Sequence, residues 1–149
     1  MKTFYLLLFL VASTLTVYSQ PYLSTGITAK GITGRIGILS DVVDISVGMK
    51  MPILNREALT IRDFSLGKRI LLSHEESDNY SITPSIGYAE VKYESFDYKG
   101  DATRNLSTHS IYAIELAKDS YCGRFYLKGT YCTKPYLEFG LKFFITQPN

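Results

Sequence analysis

Nine charged residues fall at alternate positions of segments whose other positions are apolar: Arg35, Asp44, Lys50, Arg69, Glu115, Arg124, Lys128, Glu138 and Lys142. Packed together in a narrow space, they would form paired and hydrogen-bonded ions that fix strand register; unpaired, each is costly to take out of water. The functional alternative for the same set is a path for ions or solutes. His109 lies among Ser107, Thr108 and Ser110, the residue types of a hydroxyl nucleophile and its base. Adjacent residues on a strand point opposite ways, and no motif supplies a third group to orient the base, so no catalytic site is expected there. His74-Glu75-Glu76-Ser77-Asp78 lacks the ligand spacing of a zinc or calcium site and reads as a solvated turn. Asn105-Leu106-Ser107 fits a glycosylation triplet, too common by chance to carry weight. No residue set calls for a cofactor or a metal.

Composition narrows the class. A chain of 149 residues suits one domain, and 20% charged with 46% hydrophobic residues excludes a disordered or collagenous polymer. Two cysteines make neither a disulfide framework nor a four-cysteine zinc site. A net charge of +2 gives no electrostatic reason to expect nucleic acid. Lys2 precedes an unbroken apolar run, Phe4 to Ala12, and small residues Val17 and Ser19 stand at a plausible cut. That is the pattern of a secretory signal peptide over residues 1–19, which makes 20–149 the mature domain. The apolar run is far short of the roughly 20 residues needed to span a bilayer as a helix, and no later run approaches that length. No cysteine near the cut supports a lipid anchor.

The mature chain alternates with a period of two. In Val43-Asp44-Ile45-Ser46-Val47-Gly48-Met49-Lys50-Met51 every odd position is apolar, and Leu137-Glu138-Phe139-Gly140-Leu141-Lys142-Phe143 repeats the pattern. Successive strand side chains point to opposite faces, so each segment has an oily face and a polar one. Strands are expected over 22–30, 32–39, 43–51, 59–72, 80–93, 107–118, 124–132 and 136–145, with turn residues between them. If 124–132 is a strand, Cys122 and Cys132 stand about 30 Å apart at roughly 3.3 Å per residue. A disulfide tolerates about 7 Å between Cα atoms, so the two are expected not to pair.

Which face looks inward is decided by the glycines. Gly26, Gly37, Gly48, Gly67, Gly87 and Gly140 share the polar face. A solvent-washed face has no use for glycine, which weakens a strand, whereas the interior of a narrow barrel needs room for long side chains from opposite walls. Eight strands of about 9–11 residues fit the mature length. The longest connection, Glu94 to Leu106, reads as an outward loop, and Tyr22, Tyr80, Tyr121, Tyr131 and Tyr136 at strand ends fit an interfacial girdle. Two residues resist: Lys68 falls on the oily face, and Pro84 sits inside a strand, where a bulge is the expected remedy.

In size and patterning the mature chain resembles the small eight-stranded outer-membrane barrels of the OmpA/OmpX type. The terminal strand Leu137-Phe139-Leu141-Phe143 is similar to the one that the assembly machinery reads in that family, though Thr146-Gln147-Pro148-Asn149 follow it here. The resemblance implies an all-β, antiparallel up-and-down transmembrane barrel exported to the outer membrane. It implies a non-enzymatic role that is either structural or one of contact through the outer loops, with the lipid bilayer, the assembly machinery and an extracellular partner at the 94–106 loop as contacts; eight strands leave a lumen just wide enough for side chains to fill. The alternative is a secreted or periplasmic soluble β-barrel or sandwich that binds a ligand and buries Val43, Ile45, Val47, Leu137, Phe139, Leu141 and Phe143 as its core.

Overall fold

Alternating side chains commit the chain to strands, and the strands close on themselves. The computed structural model describes residues 19–29, 31–53, 58–72, 79–96, 102–120 and 123–145; most of the leader, the His74–Asp78 turn, Tyr121 and Cys122 lie outside them. The elements are β1 (Gln20–Thr28), β2 (Gly31–Leu39), β3 (Val43–Pro52), β4 (Ala58–Lys68), β5 (Ile70–Leu71), β6 (Tyr80–Phe96), β7 (Ala102–Ser120), β8 (Gly123–Tyr131) and β9 (Pro135–Phe144). Each pairs antiparallel with its neighbour, and β9 returns to β1. Since β4 and β5 both pair with β6, they are two parts of one stave, and the barrel has eight staves. Following partners around from Gln20 through Asp44, Gly67, Ala113 and Thr130 reaches Tyr136, beside the far end of β1. A stagger of that size goes with strands inclined by about 35–45° to the barrel axis. Both termini of the barrel lie at one end, here the terminal end; the β6–β7 connection is at the other, the loop end.

Side-chain burial is inverted relative to a soluble protein. Ile36, Val47 and Phe139 are 65%, 60% and 58% exposed, while Glu138 and Lys142 are 0% and 1% exposed. Inward glycines leave the space that large polar residues occupy. A Cβ at Gly37 would run into the Tyr22 ring, one at Gly26 or Gly140 into Tyr126, and one at Gly48 into Arg35.

Two expectations about the loop end and the girdle need correction. The segment Glu94–Leu106 is not mainly loop: β6 and β7 pair continuously to Phe96↔Ala102, so only residues 97–101 connect them. Pairing of β7 with β8 begins at Tyr112↔Tyr131, so the hairpin stands well beyond the β8–β9 turn. Among the girdle tyrosines, Tyr80 and Tyr131 are exposed, but Tyr22 is buried in the lumen and Tyr136 packs against its apolar cluster. Among the described residues at the loop end, Tyr131 is joined by two further exposed tyrosines, Tyr88 and Tyr112, on the adjacent strands β6 and β7.

Pro84 is accommodated without a bulge. The β6 register is the same on both sides of it, Gly67↔Ser85 and Ile70↔Ile82, so no residue is inserted. Arg69 N–H bonds the Val42 carbonyl at 2.7 Å on the β3 side. By alternation the backbone groups of Lys68 face β6, and the register sets them opposite Pro84, which has no N–H to give. The ladder is therefore interrupted there, which ends β4 at Lys68 and separates it from β5. Lys68 itself points outward beside Val43, the first residue of β3.

Candidate functional site

The lumen is filled in tiers by side chains that the alternation turns inward. All nine sequence-identified charges lie there: eight are buried, and the Arg69 side chain is 11% exposed. Midway, Lys142 Nζ sits 2.7 Å from both Asp44 Oδ2 and Glu115 Oε1. Tyr22 donates its hydroxyl to Asp44 Oδ1 at 2.7 Å. Lys128 lies on β8 opposite Glu115 on one side and Glu138 on the other.

Toward the loop end, Arg35 pairs with Asp63 and lies 3.6 Å from Glu138, whose other oxygen accepts the Tyr126 hydroxyl. Ser46 and Ser65 bridge β3 and β4 at 2.8 Å. At the terminal end, Arg69 and Arg124 meet at Asp119, and Arg124 Nη2 donates to Ser81.

A tier of different character caps the ions. Ile61, Ala89, Val91, Ile111 and Cys132 form a buried apolar cluster with Tyr136 packed against it. Lys50 Nζ lies 3.9 Å from the Tyr136 ring centroid, a cation–π contact between the charged and oily tiers. Cys132 is a free thiol, and burial pushes its pKa up. The thiolate is the reactive form, so a raised pKa leaves less of it at any pH below that value. In a Cys122→Ser background, maleimide labelling of Cys132 near neutral pH is expected to be slow in the folded barrel and fast after unfolding. Equal rates in both states would overturn that expectation.

The sequence pattern missed Asp63 and Asp119 as ion partners and Tyr22 and Tyr126 as lumen hydroxyls. Asp63 keeps the inward parity of Ser65 and Gly67, and Asp119 that of Glu115, so the period of two held the signal. Ser107 and His109 do meet, Oγ to Nε2 at 2.9 Å, because residues two apart on a strand share a face. Both are on the projecting part of β7, and among the described residues no bond to the second His109 ring nitrogen orients the imidazole.

No protein-family profile and no curated protein matches this chain. Among solved structures, the N-terminal β-barrel domain of Pseudomonas aeruginosa OprF is similar at TM-score 0.59 and 11% identity, over 85% of this chain and 96% of that one. Ail, the attachment invasion locus protein of Yersinia pestis, matches at TM-score 0.40 and 11% identity, over 84% and 95%. In architecture, then, this chain is a closed, antiparallel, eight-staved β-barrel with the fold of the OprF N-terminal domain.

Proposed function

We propose that the protein is an integral outer-membrane barrel with a lumen closed by its own side chains, serving as a non-enzymatic anchor for the β6–β7 hairpin. The observation that carries this is the inversion of burial: a contiguous outward surface of Ile36, Val47, Ile86, Ile114, Leu127 and Phe139 around an interior of paired ions. Exposed apolar area of that extent has no place in water, and lipid is the solvent that accepts it. The interior of an eight-stranded barrel is just wide enough for side chains to fill, and here it holds ion pairs below an apolar cluster.

The hairpin supports the anchoring role. Between Ala102 and Ile111, β7 pairs with β6 on one side and has no β8 partner on the other. A strand edge of that kind offers backbone donors and acceptors to an extended segment of another protein. Bacterial barrels carry their long excursions on the cell exterior, and the β6–β7 arm is such an excursion because β7 runs past the end of β8, so the hairpin is read as external and the terminal end as periplasmic. A partner that reads the signal of the last strand during assembly belongs to the same proposal.

The test combines fractionation with electrophysiology. The protein is expected to stay in the membrane through salt and carbonate washes, to migrate differently on gels before and after heating, and to give no stepwise conductance in planar bilayers. Release by carbonate would remove the membrane assignment. Steady unit conductance would remove the closed lumen.

A further inference from the structure

Charge is balanced differently at the terminal mouth of the lumen than deeper inside. Midway, one ammonium serves two carboxylates at 2.7 Å each; at the mouth, Asp119 is the one carboxylate among the described residues in salt-bridge contact with the two guanidiniums Arg69 and Arg124, with Asp41 and Asp44 acting on Arg69 more weakly. Both contacts are long: 3.4 Å from Arg69 Nη2 to Oδ2 and 3.2 Å from Arg124 Nε to Oδ1. Well-made charge-assisted bonds of this kind run at about 2.7–2.9 Å. The Arg124 side chain is only 2% exposed, yet its Nε–H is aligned with no acceptor, and the same holds for Arg69 Nε–H. Asp119 Oδ1 is likewise without a hydrogen bond. The nearest deeper acid, Asp44, is engaged by Tyr22 and Lys142. Asp119 is 32% exposed, so the cluster opens to the mouth.

We propose that Arg69 and Arg124 form an oxyanion-binding site at the terminal mouth of the lumen, selective for a phosphate group. Two planar guanidinium forks with free Nε–H donors match phosphate oxygens in a way that an ammonium does not. Asp119 is the resident competitor: it holds both guanidiniums loosely, and an incoming anion displaces it toward solvent. The phosphate comes either from solution at the mouth or from the headgroup of a lipid at the rim. The site needs only the barrel and its charges, so it stands apart from whether the lumen conducts or the hairpin binds a partner.

The experiment titrates inorganic phosphate into the full barrel folded in maltoside micelles, with chloride at matched ionic strength as control. Saturable binding is expected for the parent, at least tenfold tighter binding for Asp119→Asn, and at least tenfold weaker binding for Arg69→Gln. Heat-modifiable migration checks that each variant is folded. Repeating the titration in phospholipid nanodiscs separates the sources: binding that disappears there assigns the site to headgroups, and binding that persists assigns it to free phosphate. The proposal is overturned if neither the parent nor Asp119→Asn binds phosphate saturably. It is equally overturned if Arg69→Gln migrates as folded and binds as well as the parent. Because Asp119→Asn calls for a gain in affinity, it remains decisive even if Arg69→Gln does not fold.

Discussion

Replacing Lys142 with methionine is expected to destabilise the barrel by about 3–5 kcal/mol, the cost of leaving buried charge without its partner. Lys142 is 1% exposed and is the only described cation in salt-bridge contact with Asp44 and Glu115. Its loss leaves two buried carboxylates facing each other, with the Tyr22 hydroxyl as the remaining hydrogen-bond donor to Asp44 among the described residues. Methionine keeps nearly the same length, so the effect is one of charge and not of a cavity. The measurement is the urea midpoint of the barrel folded in lipid vesicles, followed by gel migration. Adding Asp44→Asn and Glu115→Gln to the methionine variant should recover most of the loss, because a neutral set replaces the ions as a group. An unchanged midpoint for the single variant would mean that water, and not the two acids, solvates this ammonium.

Turning Val47 into arginine is expected to cost about 2–4 kcal/mol, the penalty for a cation on the lipid face near the bilayer midplane. Val47 lies mid-strand in β3, flanked by Ile36 on β2 and Phe64 on β4, and all three are exposed. The same change at Tyr131, the last residue of β8 at the loop end, should cost about 0–1 kcal/mol, since the penalty fades toward the interface. The contrast is read from vesicle unfolding of the two variants side by side. If both proved harmless, or the Val47 variant gained solubility without detergent, the outward face would be meeting water.

The period of two made the staves and the sidedness of the lumen legible in the sequence, because Asp44, Ser46, Gly48 and Lys50 cannot share a face with Val43, Ile45, Val47 and Met49. The glycines mark the inward face for the same physical reason: rings and long polar chains occupy the space that Gly26, Gly37, Gly48 and Gly140 leave. The projecting hairpin was less legible. Its β7 arm, Asn105-Leu106-Ser107-Thr108-His109-Ser110, is exposed over most of its length and is held by backbone pairing with β6, so burial imposes little alternation on it.

Asp63 was lost between the outward residues Arg62 and Phe64, and Asp119 in a dipeptide with Ser120 that looks like a turn. Tyr22 and Tyr126 were missed because an aromatic ring favours the lipid side, whereas here a phenol reaches a carboxylate across a glycine-floored space. Pro84 was rightly singled out as a problem, but its solution could be found only in the register between β5 and β6.

That missing proline hydrogen gives the wall a joint that differs from the others. Around the rest of the circumference, separating two staves means breaking an uninterrupted run of amide bonds; at this joint the run is already cut in two, and below the cut the described contacts are Ile70, Leu71 and the Leu72 N–H bond to the Tyr80 carbonyl. Thermal opening should begin with that short lower flap peeling from β6, so its amide protons would exchange with solvent well before those of β1 or β9.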